Sequence, residues 1–119
     1  MGSITIIEAK DALQYVTDRG AFLLRARGCT ESAVMLFKES IANDLDFYLE
    51  ESRTELNDHL LYAYANHMWD NSIKASSYIL GTDKSANVFF KYNLYKFIEE
   101  VFRNVLDIKL TIEENTIYD

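Results

Sequence analysis

The sequence predicts an all-α protein: one domain over residues 1–119, built as a compact bundle of four to five helices, with the last helix buried or at a dimer interface. Three observations lead there. Proline is absent from the 119 residues and glycine occurs only four times, where average usage would supply about six and about eight. Inside a helix proline costs about 3 kcal/mol and glycine about 1 relative to alanine, so a chain poor in both is suited to helix. Apolar residues recur at steps of three and four over long stretches, the period of one helical face. Capping residues stand where those stretches begin, and glycines where they end.

The first helix opens at Thr5. Thr5-x-x-Glu8 has the form of a capping box, in which the hydroxyl accepts from the Glu8 amide and the carboxylate reaches back to the cap. Ile6, Ala9, Leu13 and Val16 follow at helical spacing. Gly20 loosens the pattern, Ala21–Leu24 resume it, and Gly28 closes it after Arg25 and Arg27, whose charge suits the negative end of a helix dipole. Thr30 caps the second helix. Val34, Phe37, Ile41, Leu45, Tyr48 and Ser52 form its stripe and carry it to Glu51 or so. Ser52-Arg53-Thr54 is a weak boundary, where Thr54 caps a third helix or the chain runs straight on. Leu56, Leu60, Tyr64, His67, Met68 and Asn71 continue the period, with a candidate kink at Asp70-Asn71-Ser72 and an end at Gly81. Gly81–Ser85 is the clearest loop.

The last helix spans Ala86 to Ile108. Val88, Tyr92, Tyr95, Ile98, Phe102 and Val105 form one apolar face, and Phe90, Leu94, Phe97, Val101 and Ile108 form another. Two apolar faces place a helix centrally in a bundle or against a partner chain. Residues 110–119 are compatible with a short strand, a docking arm or a tail.

Hydrophobic residues make up 49% of the chain and aromatics 13%, too apolar for disorder. The uncharged apolar stretches fall far short of the ~18 residues a membrane span needs, and no secretory signal pattern opens the chain. Ile6 stands where N-myristoylation after Met1-Gly2 requires Ser or Thr. Cys29 is the only cysteine, which excludes an internal disulfide and fits a reducing, cytoplasmic setting.

The net charge is −7. Free nucleic-acid-binding domains carry a basic face, so direct nucleic-acid binding is not expected. The excess is concentrated: residues 31–58 hold Glu31, Glu39, Asp44, Asp46, Glu50, Glu51, Glu55 and Asp58 against Lys38 and Arg53. On one continuous helix Glu39, Asp46 and Glu50 share a face, and Asp44, Glu51, Glu55 and Asp58 share another. Such rows repel internally, by roughly a few tenths of a kcal/mol per pair. The plain reading is a solvated face that aids solubility. The sharper reading is a docking surface for a basic partner, reached faster through electrostatic steering. Tyr62, Tyr64, Trp69, Tyr92 and Tyr95 are the expected interface anchors, because Tyr and Trp dominate hot spots. The rings and lysines of Phe89–Phe97 are read as core and interface, not as a stacking platform for single strands.

Arg53-Thr54-Glu55-Leu56-Asn57-Asp58-His59 resembles the Arg-x(4–6)-His element of HEPN-type ribonucleases, with Thr54 where that family often has Asn, Asp or His. The resemblance covers residues 53–59. It implies a dimerising helical bundle in which Arg53 and His59 meet near the dimer axis and act as acid and base at an RNA 2′-hydroxyl. Glu55 with His59, and His67 with Asp70, each stand a helical turn apart. A metal site needs three or four ligands and a supporting shell, and neither metal nor cofactor is expected. Glycine-rich phosphate loops and a Gly-x-Ser-x-Gly elbow are absent.

The expectation is therefore a small acidic non-enzymatic protein, a candidate homodimer. It binds and inhibits or regulates a basic, nucleic-acid-handling protein partner through Glu39, Asp44, Asp46, Glu50, Glu51, Glu55 and Asp58. In composition it is similar to small phage-encoded inhibitors of host defence. A ribonuclease using Arg53 and His59 is the alternative. An adaptor that grips a partner through aromatic residues is the third.

Overall fold

The computed structural model describes residues 3–50 and 53–103. Four helices make up nearly all of it: α1 (Ile6–Ala26), α2 (Glu31–Leu45), α3 (Asp58–Leu80) and α4 (Lys84–Phe102). Each begins at a polar cap that satisfies an otherwise unpaired amide. The Thr5 hydroxyl accepts from the Glu8 amide, and the Glu8 carboxylate accepts from the Thr5 amide, completing the capping box. Thr30, Asn57 and Asp83 accept from the amides of Ala33, Leu60 and Ala86. Gly28 and Gly81 close α1 and α3 with φ of 85° and 64°, the left-handed region where a side chain is disfavoured.

Each helix packs on the next, and α4 returns to α1. Short turns after α1 and α3, and a longer connector over residues 46–57, make the direction alternate. The Tyr64 ring lies edge-on to Phe102 at 6.3 Å, and its hydroxyl donates to the Ala9 carbonyl at 2.6 Å. One end of the bundle, here the connector end, therefore gathers the starts of α1 and α3 and the ends of α2 and α4. The opposite turn end carries the two short turns.

The core draws on all four helices and includes Val16, Leu24, Phe37, Ile41, Leu61, Tyr64, Met68, Phe90, Leu94 and Ile98, each 1% exposed or less. Phe37 meets Phe90 edge-to-face at 5.6 Å. It also lies so close to α1 that a Cβ on Gly20 would stand 2.5 Å from two of its ring carbons. Gly20 thus sits inside a continuous helix because Phe37 needs the space. Both apolar faces of α4 are used within the chain. Phe97 meets Tyr15 of α1 at 6.3 Å, Tyr95 meets Trp69 of α3 at 6.1 Å, and Phe90, Leu94, Ile98 and Phe102 lie buried between. Phe89 and Tyr92 of the same helix stay exposed.

The second helix is shorter than its apolar stripe implies. It ends at Leu45 and passes into a single 3-10 turn, Asp46–Leu49. Its last turn carries no basic residue, while Asp44 and Asp46 sit at the negative end of its dipole, where acids are unfavourable. Tyr48 turns inward instead, at 6.0 Å from the Tyr64 ring and 5.6 Å from the His67 ring. Thr54 does not cap α3. It lies in the connector, where its carbonyl accepts from the Ile6 amide at 3.1 Å, and Asn57 is the cap. Two-residue strands β1 (Ile4–Thr5) and β2 (Glu55–Leu56) pair antiparallel, with Ile4 opposite Leu56 and Thr5 opposite Glu55. Asp70-Asn71-Ser72 does not break α3, where the Ser72 hydroxyl donates to the Met68 carbonyl at 2.6 Å. Glu51, Ser52 and residues 104–119, with Val105, Ile108 and the possible arm at 110–119, lie outside the described residues.

Candidate functional site: an acidic bundle end with an exposed aromatic

The predicted acidic face requires one continuous rod from Glu39 to Asp58, and the chain does not provide it. Glu39 stands midway along α2, while Asp44 is near the end of that helix. Asp46 opens the 3-10 turn, Glu50 follows it, Glu55 is in β2 and Asp58 begins α3. The connector folds these residues back across the bundle instead of extending them along it. Asp44, Asp46, Glu50 and Glu55 are all exposed at the connector end, and Asp58 is half-buried beside them. Glu8 at the start of α1 and Glu99 and Glu100 near the end of α4 are exposed at the same end. Lys10, Arg53 and Arg103 are the described cations there. A stripe becomes a cap, with Glu39 left outside it.

The exposed carboxylates Asp44, Asp46, Glu50 and Glu55 are not neutralised by the described residues. Among the described residues the ion pairs are Arg25 with Glu31 at 2.8 Å and Lys38 with Asp18 at 3.1 Å, both between α1 and α2 and away from the connector end. Gln14 and then Lys38 hold the Asp18 carboxylate below its ordinary range, and Arg25 does the same for Glu31. Asp44, Asp46, Glu50 and Glu55 form no ion pair with any described residue. Unpaired exposed carboxylates at high local density keep an outward negative field that a cation can meet.

Phe47 projects from this cap at 64% exposure. Its ring contacts Tyr48 edge-on at 5.3 Å, Tyr48 contacts Tyr64, and Tyr64 contacts Phe102. The exposed ring is the outer member of a series of edge contacts that leads to the core. Sequence spacing could not single out Phe47, because on a continuous helix it is only one more residue beside Tyr48. The available signal was an aromatic off the stripe, between Asp46 and Glu50.

The five predicted anchors separate. Tyr64 is fully buried and Trp69 is 7% exposed, so both are core residues and not surface anchors. Tyr62 and Tyr95 are half-buried, and Tyr92 is exposed. Tyr64 burial pushes its phenol pKa well above the ordinary value. Arg53 and His59 do not share a helix: Arg53 lies half-buried before β2, with its Nε buried and unbonded to the described residues, while His59 is exposed in the first turn of α3. β2 intervenes, so the two residues stand on different elements. Glu55 and His59 are likewise on different elements. Among the described residues no group of three or more His, Cys, Asp and Glu is placed to hold a metal ion, and no helix is long and apolar enough to cross a membrane.

At the turn end an open groove of about 490 Å³ runs between the two short turns, lined by Ala26, Arg27, Gly28, Cys29, Ile79, Leu80, Asp83 and Ala86. Cys29 is half-buried in its wall. Of the charged residues that line the groove with it, Arg27 is directed to Phe89 and Ser85, and Asp83 caps α4. Comparison with protein-family models, with curated proteins and with solved structures finds no match to the chain.

Proposed function

We propose that this is a non-enzymatic binding protein that engages a basic partner protein through its connector end. The observation that carries the reading is Phe47, an exposed ring in edge contact with Tyr48, at the same bundle end as the exposed carboxylates of Asp44, Asp46, Glu50 and Glu55. An apolar anchor inside a charged rim is the usual anatomy of a protein interface. The rim supplies steering and orientation, and the ring supplies contact area that resists dissociation. A basic surface that handles nucleic acid offers the complementary charge, and occupying it would block access to that surface. Inhibition of such a partner, of the kind phage-encoded anti-defence proteins perform, is the form of activity this architecture supports.

The test compares the wild type with a variant carrying Asp44→Asn, Asp46→Asn, Glu50→Gln and Glu55→Gln, and with Phe47→Ala. Each protein is immobilised and exposed to host extract at low and high salt, and affinity for the recovered partner is then measured. A basic protein should be retained by the wild type at low salt, released at high salt, and lost by both variants. Equal retention by the charge-neutralised variant would leave the carboxylates with a role in solubility alone.

A further inference from the structure

A second surface runs along the α1–α4 pair from the turn end past its middle, to where the Tyr15 hydroxyl donates to the Glu100 carboxylate at 3.2 Å. All four cation–π contacts among the described residues fall there. Arg19 stands over Tyr15 at 5.3 Å and over Phe97 at 5.6 Å, Arg27 over Phe89 at 5.1 Å, and Lys96 over Tyr92 at 4.3 Å. Such contacts occur about once per 70–80 residues in proteins at large, so this pair of helices is enriched. Helical spacing puts Phe22 beside Arg19, and Phe89, Tyr92 and Lys96 on one outward stripe of α4. Phe22 is 60% exposed, Phe89 37% and Tyr92 36%. Arg19, Arg27 and Lys96 are exposed, and none is ion-paired with a described carboxylate. In an acidic protein these cations rest on rings with most of their donors unused.

We propose that this face docks the acidic connector end of a second copy of the chain, so that copies join end to side. Charge complementarity identifies the occupant. The carboxylates of Asp46, Glu50 and Glu55 meet Arg19, Arg27 and Lys96, while Phe47 meets the ring surface between α1 and α4. Each group that one side requires is present, unpaired and exposed on the other. The net charge of −7 does not forbid the contact. The molecule is 39 Å long, whereas the Debye length is about 8 Å at physiological ionic strength, so local charge governs at contact. The two patches differ, so the interface is heterologous and propagates into rings or filaments instead of stopping at a two-fold dimer. The acidic end is shared with the proposed function, so self-association and partner binding compete.

Two variants test this, each altering only exposed side chains. One carries Arg19→Gln, Arg27→Gln and Lys96→Gln; the other carries Asp46→Asn, Glu50→Gln and Glu55→Gln. Circular dichroism melts confirm that both fold. In sedimentation velocity at low salt the wild type should grow in mass with concentration, and at high salt it should return to the monomer. Each variant alone should stay monomeric. Mixed in equal amounts, they should form a species of twice the monomer mass and nothing larger, because each retains one intact patch. A wild type that stays monomeric at low salt and high concentration overturns the proposal. So does a salt-insensitive dimer, or a mixture that fails to pair while the wild type associates. Binding of a labelled oligothymidylate through Arg19, Arg27 and Lys96 to a wild type that does not self-associate would assign the face to nucleic acid. Failure here leaves the foreign basic partner intact, since that reading is lost only if the acid-neutralised variant retains it.

Discussion

Replacing Gly20 with alanine puts two opposing effects in one methyl group. Within α1, alanine is favoured over glycine by about 1 kcal/mol. Against this, the new Cβ stands 2.5 Å from Cε2 and Cζ of Phe37, where carbon atoms prefer about 3.5–4.0 Å. The overlap of about 1 Å cannot be relieved by a small rotation. Phe37 is fully buried, and its ring is packed against Phe90. Overpacking of this kind costs about 1–3 kcal/mol, so Gly20→Ala should be destabilising by up to about 2 kcal/mol after the helical gain is subtracted. At about 2.1 cal/mol/K per residue, each kcal/mol lowers Tm by about 4 °C in a chain of this length. Phe37→Leu removes the clashing ring atoms and itself costs about 1–2 kcal/mol. In that background Gly20→Ala should change sign and stabilise by about 1 kcal/mol. Urea unfolding of the two single variants and the double variant, treated as a cycle, measures the coupling. Stabilisation by Gly20→Ala in the wild-type background, or an equal effect in both, would refute the close approach of α1 and α2.

Tyr64→Phe should cost about 1 kcal/mol, because it removes the hydroxyl that donates to the Ala9 carbonyl while leaving the ring in place. The same variant alters the alkaline limb of stability. Burial raises the Tyr64 pKa in the folded state, so its contribution is fully present below about pH 10, the unfolded value. It is lost as pH rises, by up to about 1.4 kcal/mol per pH unit. Denaturant melts above that pH should fall less steeply for Tyr64→Phe. Asn57→Ala should cost about 1 kcal/mol by leaving the Leu60 amide without its cap, read as a lower urea midpoint. Glu31→Gln, which breaks an exposed pair with Arg25, should leave the urea midpoint almost unchanged and should matter still less at high salt.

The fold was legible because its signals are local. Missing prolines, the Thr5–Glu8 box, the Thr30 cap and the glycines at 28 and 81 each act within a turn of chain, and each is used as the local chemistry dictates. The interruption at Gly20 was legible only as a weak point. Its cause, the Phe37 ring of a neighbouring helix, is tertiary. The connector departs from its sequence pattern for a related reason. Residues 46–57 keep a helical apolar period, with Tyr48, Leu56 and Leu60 in step with what precedes and follows. Yet Tyr48 is drawn to Tyr64 and Leu56 to the strand pair with Ile4, contacts that periodicity cannot represent. Residue type alone points Tyr64 and Trp69 to an interface, whereas a central position in α3 buries them.

That departure changes what the acidic segment can be. On a rod, Glu39 to Asp58 would present two faces, and no single flat partner could reach both. Folded back as a cap, Asp44, Asp46, Glu50 and Glu55 lie at the same end of the bundle as Phe47, and a partner approaching along the long axis would meet them together. The cations are distributed differently. Arg25 and Lys38 are bound to Glu31 and Asp18, while Arg19, Arg27 and Lys96 rest on rings of α1 and α4. Among the described residues the charge is therefore unevenly distributed, which the net charge conceals. Such a distribution makes recognition depend on orientation as well as sign. Partner binding at the connector end should respond to charge reversal there and hardly at all to reversal of Lys38, although both changes alter the net charge by similar amounts. Equal effects at the two places would mean that net charge alone, and not the cap built by the connector, governs association.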